Sequence, residues 1–153
     1  MAKLSDLTIS MHAIQDGEWV RVDEAEFGDL EILARGFSDE FIDAQRASEA
    51  RLLRKYGTVT AIPNAVQRVA NAELLRGYLI VDVRNLEHDD GTPVTVQEFH
   101  AMLDHPKYTR LSDASWRAAR RNTVQIADEL EIAVGNSPRR SKLSSNGEAR
   151  APD

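Results

Sequence analysis

A chain of 153 residues with 42% hydrophobic content is expected to fold as a single domain with a real core. Its net charge of −6 argues against a dedicated nucleic-acid binder, which normally carries a basic balance. The absence of cysteine removes disulfides, thiolate metal sites and a cysteine nucleophile. Residues 1–19 hold no apolar run of signal-peptide length, and the longest apolar run, Tyr78–Val81, is far below the roughly 18 residues of a membrane-spanning helix. The expectation is a soluble protein.

In chain order, Met1–Gln15 is weakly patterned, either a lead-in or a first strand. Asp16-Gly17 signals a turn. Two β-prone runs follow, Glu18–Val22 and Leu30–Phe37, separated by the acidic break DEAEFGD, where Gly28 is free to take a positive φ. They read as a β-hairpin, which is marginal alone and must pack on something. Ser38 is a good N-cap, with Asp39 and Glu40 in the first turn. Phe37, Phe41, Ala44, Ala47, Leu52 and Tyr56 then keep near-helical spacing to Gly57, a C′ residue. Pro63 suits the first position of a second helix, carried by Ala65, Val66, Val69, Ala70, Leu74, Leu75 and Tyr78 to about Leu79. Over Ile80–Asn85 the pattern fits helix or strand.

HDDGTP is a strong turn, built on Asp90, Gly91 and Pro93. Thr95 and Glu98 match a capping box for a short helix with Val96, Phe99, Met102 and Leu103 inward, stopped by His105-Pro106. Lys107–Leu111 reads as a loop. Ser112 or Asp113 then caps a long last helix, with Trp116, Ala119, Thr123, Ile126, Ala127 and Leu130 on its apolar face, ending at Gly135-Asn136. The fold class is α+β, mostly α: an N-terminal β-hairpin, about four helices over residues 1–135, and a disordered tail from 136 to 153. That tail carries +2, which sets the body at −8 in a chain of −6.

Few residues of the sequence point to chemistry. Glu87, His88, Asp89 and Asp90 lie together, but an EF-hand loop with Gly91 in its sixth place would begin at Leu86. His88 has no histidine partner at i+4, and His100 and His105 are spaced i, i+5. The cluster reads as a solvated turn. No nucleophile elbow, P-loop or dinucleotide fingerprint is present. The expectation is a non-enzymatic protein with no metal and no cofactor. Arg117, Arg120 and Arg121 offer a basic helix face beside Trp116, balanced further on by Asp128, Glu129 and Glu131.

One stretch carries a resemblance. A helix rich in alanine and leucine runs into Tyr78 and Asp82-Val83-Arg84. It is followed by Asp89-Asp90-Gly91-Thr92-Pro93-Val94-Thr95-Val96 and a capped helix holding Glu98-Phe99 and Met102-Leu103. Upstream lies LEILARGFSDEFIDAQRA. Over residues 17–134 this resembles the tail assembly chaperones of long-tailed bacteriophages with non-contractile tails and of prophages. Tyr78 stands where that family often has tryptophan, and the frequent Pro and Phe after Pro93 are missing.

The resemblance implies a chaperone of tail morphogenesis that binds the tape-measure protein and recruits tail-tube subunits in the host cytoplasm. It would be absent from the mature virion. A longer form made by ribosomal frameshifting would fit the tail from Asn136. Partner binding is expected at Phe99, Met102, Leu103, Trp116, Arg117 and Arg121, with self-association as a further option. Asp90, Gly91, Pro93 and Thr95 would form the structural turn that positions two helices. The competing readings are a structural virion component, such as a head–tail connector or tail-completion protein, and a small helical nucleic-acid-binding regulator using Arg117, Arg120 and Arg121.

Overall fold

The computed structural model describes residue 3 and residues 14–134, with side chains as far as residue 123. Most of the expected lead-in and the whole expected tail from Asn136 lie outside the described residues. The expected class is what is found, α+β and mostly α.

The hairpin forms as the alternation requires. Strand β1 (Glu18–Arg21) pairs antiparallel with β2 (Glu31–Ala34), with Trp19 opposite Leu33 and Val20 opposite Ile32. The acidic break is not a plain loop. Asp23 accepts from the Ala25 N–H at 3.0 Å and starts a single helical turn, α1 (Glu24–Phe27), which Gly28 ends at φ 63°. The turn places Phe27 against the core, so the longer connection gains an apolar anchor.

Ile80–Arg84, open between helix and strand in the sequence, is strand β3, and it adds to β2 to make a three-stranded antiparallel sheet in the order β1-β2-β3. Leu33 faces Asp82 but Ala34 faces Ile80, so the ladder skips Val81. An extra residue inverts the side-chain parity of a strand. Simple alternation would send Ile80 and Val83 to opposite faces. With the bulge both are buried on the core face beside Ile32 and Ala34. The helix that leads in is shorter than its periodicity suggests. Helix α3 is regular only over Asn64–Leu74, and Leu75–Leu79 winds as a π-helical turn. Leu75 and Leu79, at its two ends, are both fully buried.

Helix α2 (Asp39–Tyr56) has the caps its sequence specifies. Ser38 Oγ accepts from the Phe41 N–H at 3.1 Å, and Gly57, at φ 86°, donates to the Leu53 carbonyl at 2.8 Å. Pro63 is the N-cap of α3 rather than its first residue, a shift of one position. Helix α4 (Val96–Met102) carries the complete capping box: Thr95 Oγ1 accepts from Glu98 N–H at 3.2 Å and Glu98 Oε2 accepts from Thr95 N–H at 2.9 Å.

The last helix starts earlier than expected. A short 3₁₀ turn, Pro106–Tyr108, runs directly into α5 (Thr109–Val134), so Lys107–Leu111 is largely helical and neither Ser112 nor Asp113 is the cap. Asp113 instead reaches forward one turn to Arg117, at 2.8 Å.

The inner stripe of α5 is built from small residues. Ala114, Ser115, Ala118, Ala119 and Asn122 are all fully buried, which lets the helix lie close against the sheet. The bulk comes from elsewhere: Phe41, Phe99, Leu30, Ile32, Leu75, Leu79 and Leu103 fill the space around it. Burying a polar side chain in that stripe requires partners. Asn122 Nδ2 donates to the Ala34 carbonyl at 2.9 Å, next to the bulge. Ser115 Oγ donates to the Leu111 carbonyl at 2.8 Å. Thr123 Oγ1 donates to Ala119 O at 2.8 Å and accepts from Phe37 N–H at 3.0 Å, tying α5 to the chain entering α2.

Candidate partner-binding surfaces

The turn that carries the resemblance is a small self-contained hairpin. Val94 N–H donates to Leu86 O at 2.9 Å, His88 N–H to Thr92 O at 2.8 Å, and Gly91, at φ 86°, closes on His88 O at 2.9 Å. Pro93 is bridged to Glu87. Asp90 Oδ1 accepts from the Thr92 hydroxyl at 2.7 Å and the Thr92 N–H at 2.9 Å. Those two bonds hold the Asp90 carboxyl below its usual pKa.

Glu98 is fixed by the Thr95 N–H and by His88 Nε2 at 3.1 Å, and it too titrates below the ordinary carboxylate range. Asp90, Gly91, Pro93 and Thr95 therefore form the predicted structural turn. What they join differs from the expectation: the turn links β3 to α4, not helix to helix. His100 Nε2 then contacts the Ile80 carbonyl at 2.9 Å, and Arg76 reaches the His100 carbonyl at 3.1 Å and Asp104 at 3.4 Å. Helix α4 is thereby docked onto the sheet. Among the described residues, no group of three or more His, Asp or Glu side chains is arranged to hold a metal ion.

The residues expected to grip a partner divide by burial. Phe99 and Leu103 are fully buried and belong to the core, and Met102 is half-buried against it. Trp116 is half-buried, its ring 6.1 Å from Phe41, which in turn stacks on Phe37 at 4.8 Å. These four are brought together, but as packing. A partner would reach Phe99 or Leu103 only if α4 left the body.

The arginine face is also internal in its uses. Arg117 pairs with Glu26 at 3.0 Å as well as Asp113, and the hydrogen bond to Glu26 raises its pKa. Arg110 lies 3.5 Å from the same carboxylate, and both guanidinium groups sit over the Phe27 ring. Arg121 donates to the Arg21 carbonyl at 2.8 Å on the edge strand. Arg117 and Arg121 thus clamp α1 and β1 onto α5, and their charge is spent on neighbours rather than held out to a phosphate backbone. Arg120 is exposed.

On the outer face of the sheet, Glu31 lies between Arg84 at 3.0 Å and Arg21 at 3.5 Å. The hydrogen bond from Arg84 holds its pKa down, and Arg84 stacks on Trp19 at 4.0 Å. That surface is a closed polar network.

The surface with unspent apolar area lies elsewhere. Helices α2 and α3, joined by the short Gly57–Pro63 connection, form a helical hairpin whose outer end is under-packed. Leu52, Val66, Val69 and Ala70 floor a groove of about 490 Å³, with Arg51 and Lys55 on its rim. Val69 is 42% exposed, and Val59, in the 3₁₀ turn at the hairpin tip, is 70% exposed. Leu52, Val66, Val69 and Ala70 all belong to the helical spacing of the sequence, which does not say whether that face is covered.

Comparison with known protein families, with curated proteins and with solved structures returns no match to this chain. No described helix is long and apolar enough to cross a membrane.

Proposed function

We propose that this chain is a non-enzymatic tail assembly chaperone of a long-tailed phage or prophage. In this reading it binds the tape-measure protein, keeps it soluble in the host cytoplasm, brings tail-tube subunits to it and is left out of the finished particle. Two things support the reading: the resemblance over residues 17–134, and the groove between α2 and α3. The groove carries it. A holdase for a long helical client needs apolar surface between helices that its own core does not consume, and helix-in-groove recognition uses such a surface. Less supports the nucleic-acid reading, because Arg117 and Arg121 are engaged with Glu26, Asp113 and the Arg21 carbonyl, which leaves Arg120 as the arginine of that set with no such partner among the described residues.

The test is co-expression with the tape-measure protein encoded in the same genome. The expected result is a shift of that client from the pellet to the soluble fraction, with the two proteins co-purifying. Unchanged client solubility would sink the proposal. So would this chain in purified virions by mass spectrometry, since a virion component stays in the particle.

A further inference from the structure

The charge around the α2–α3 groove departs from the rest of the molecule. The charged residues that line the groove are two cations, Arg51 and Lys55, and one carboxylate, Glu73, in a chain whose net charge is −6. The state of these cations matters more than their number. In the body, Arg21, Arg76, Arg84, Arg110 and Arg117 each have a carboxylate partner. In the hairpin, Arg46, Arg51, Arg54 and Arg68 form no ion pair among the described residues, and Lys55 lies over the neighbouring Tyr56 ring at 5.5 Å. Unpaired cations beside an apolar floor are a complementary mould for the opposite charge.

We propose that the groove takes an acidic amphipathic helix of the client, and this rests on the chaperone reading above. The groove is lined by both helices, so a third helix seated there has ridges to interlock with. Helix α3 has 11 residues and is about 16 Å long, which matches roughly three turns of a partner. Apolar side chains at i, i+4 and i+7 of the partner lie on Leu52, Val66, Val69 and Ala70. Its carboxylates face Arg51 and Lys55 on the α2 side. Glu73, on the α3 side, repels acids and so fixes which flank of the partner is acidic.

The experiment uses the full chain and two labelled 18-residue helical peptides. Both carry leucines along one face, and one bears glutamates on the other faces where the second bears lysines. Fluorescence anisotropy at low salt is expected to show the glutamate peptide bound about tenfold more tightly than the lysine peptide. Raising the salt should narrow that gap. R51E/K55E should invert the preference, because the repulsive element now faces the other peptide. V69E should abolish binding of both, since it puts a charge on the apolar floor, while circular dichroism shows the fold retained.

Equal binding of the two peptides, no binding of either, or binding untouched by V69E would overturn the proposal. The two levels separate cleanly. A client that is solubilised equally well by wild type and V69E leaves the chaperone reading standing and removes the groove. Charge-selective peptide binding with no effect on the tape-measure protein keeps the groove and removes the chaperone reading.

Discussion

The body and the α2–α3 hairpin solve different problems with the same kinds of residue. In the body, many polar and charged groups are paired off. Asn122 serves the Ala34 carbonyl, Arg121 serves the Arg21 carbonyl, and Glu98 closes a capping box. In the hairpin, apolar side chains stay half in water and arginines lack carboxylate partners among the described residues. The lesson is that a surface available for recognition shows itself by what is left unsatisfied. The arginines that looked most conspicuous in the sequence, Arg117 and Arg121, are the ones the fold has already used.

This contrast is open to attack at several points. The largest expected effect is in the body. Phe99→Ala removes a fully buried ring between α4 and the sheet, and a cavity of that kind costs about 3–5 kcal/mol. Chemical denaturation would register it as a lower midpoint with an unchanged slope. A loss below about 1 kcal/mol would mean that Phe99 is not core, and would return it to the list of partner contacts.

Next in size is Asn122→Ala, which leaves the buried Ala34 carbonyl without the donor at 2.9 Å and should cost about 1–3 kcal/mol. Hydrogen exchange should localise the loosening to the bulge between β2 and β3.

Acid should act through the turn. The folded-state pKa values of Asp90 and Glu98 lie below their ordinary values of 3.8 and 4.5. For a depressed carboxylate the added stability is complete above the ordinary pKa and is lost as pH falls through the folded value. Tm should therefore hold down to about pH 5 and then fall, and Glu98→Gln should flatten that fall. A profile identical in the variant would remove Glu98 from the explanation.

The smallest effect belongs to the hairpin. Val59→Ser and Val69→Ser, at 70% and 42% exposed sites, should each change stability by no more than about 0.5 kcal/mol. Client solubilisation should drop with Val69→Ser all the same. If Val69→Ser instead destabilises the fold as much as Asn122→Ala, the hairpin is core and the comparison collapses.

What the sequence determined by itself was local. Caps and turns are set by a few neighbouring residues, so Ser38, Gly57, Gly91, Thr95 and the stop at His105-Pro106 could be read directly. The β1–β2 hairpin followed from alternation over short runs. What the tertiary structure decided was every question of which partner a residue meets. Ile80–Arg84 became a strand because β2 had a free edge beside it, and the bulge at Val81 chose its buried face. Apart from Ala119, the small stripe of α5, with Asn122 in it, was hidden because alanine and asparagine carry no strong hydrophobic signal, and only the nearness of the sheet makes them core.

The candidate site followed the same division. Its helices and apolar residues were legible, since helical spacing is a property of one segment. Whether an apolar face is covered depends on a second segment far away in the chain. That is why Phe99 and Leu103 proved to be buried while Val69 stayed half open.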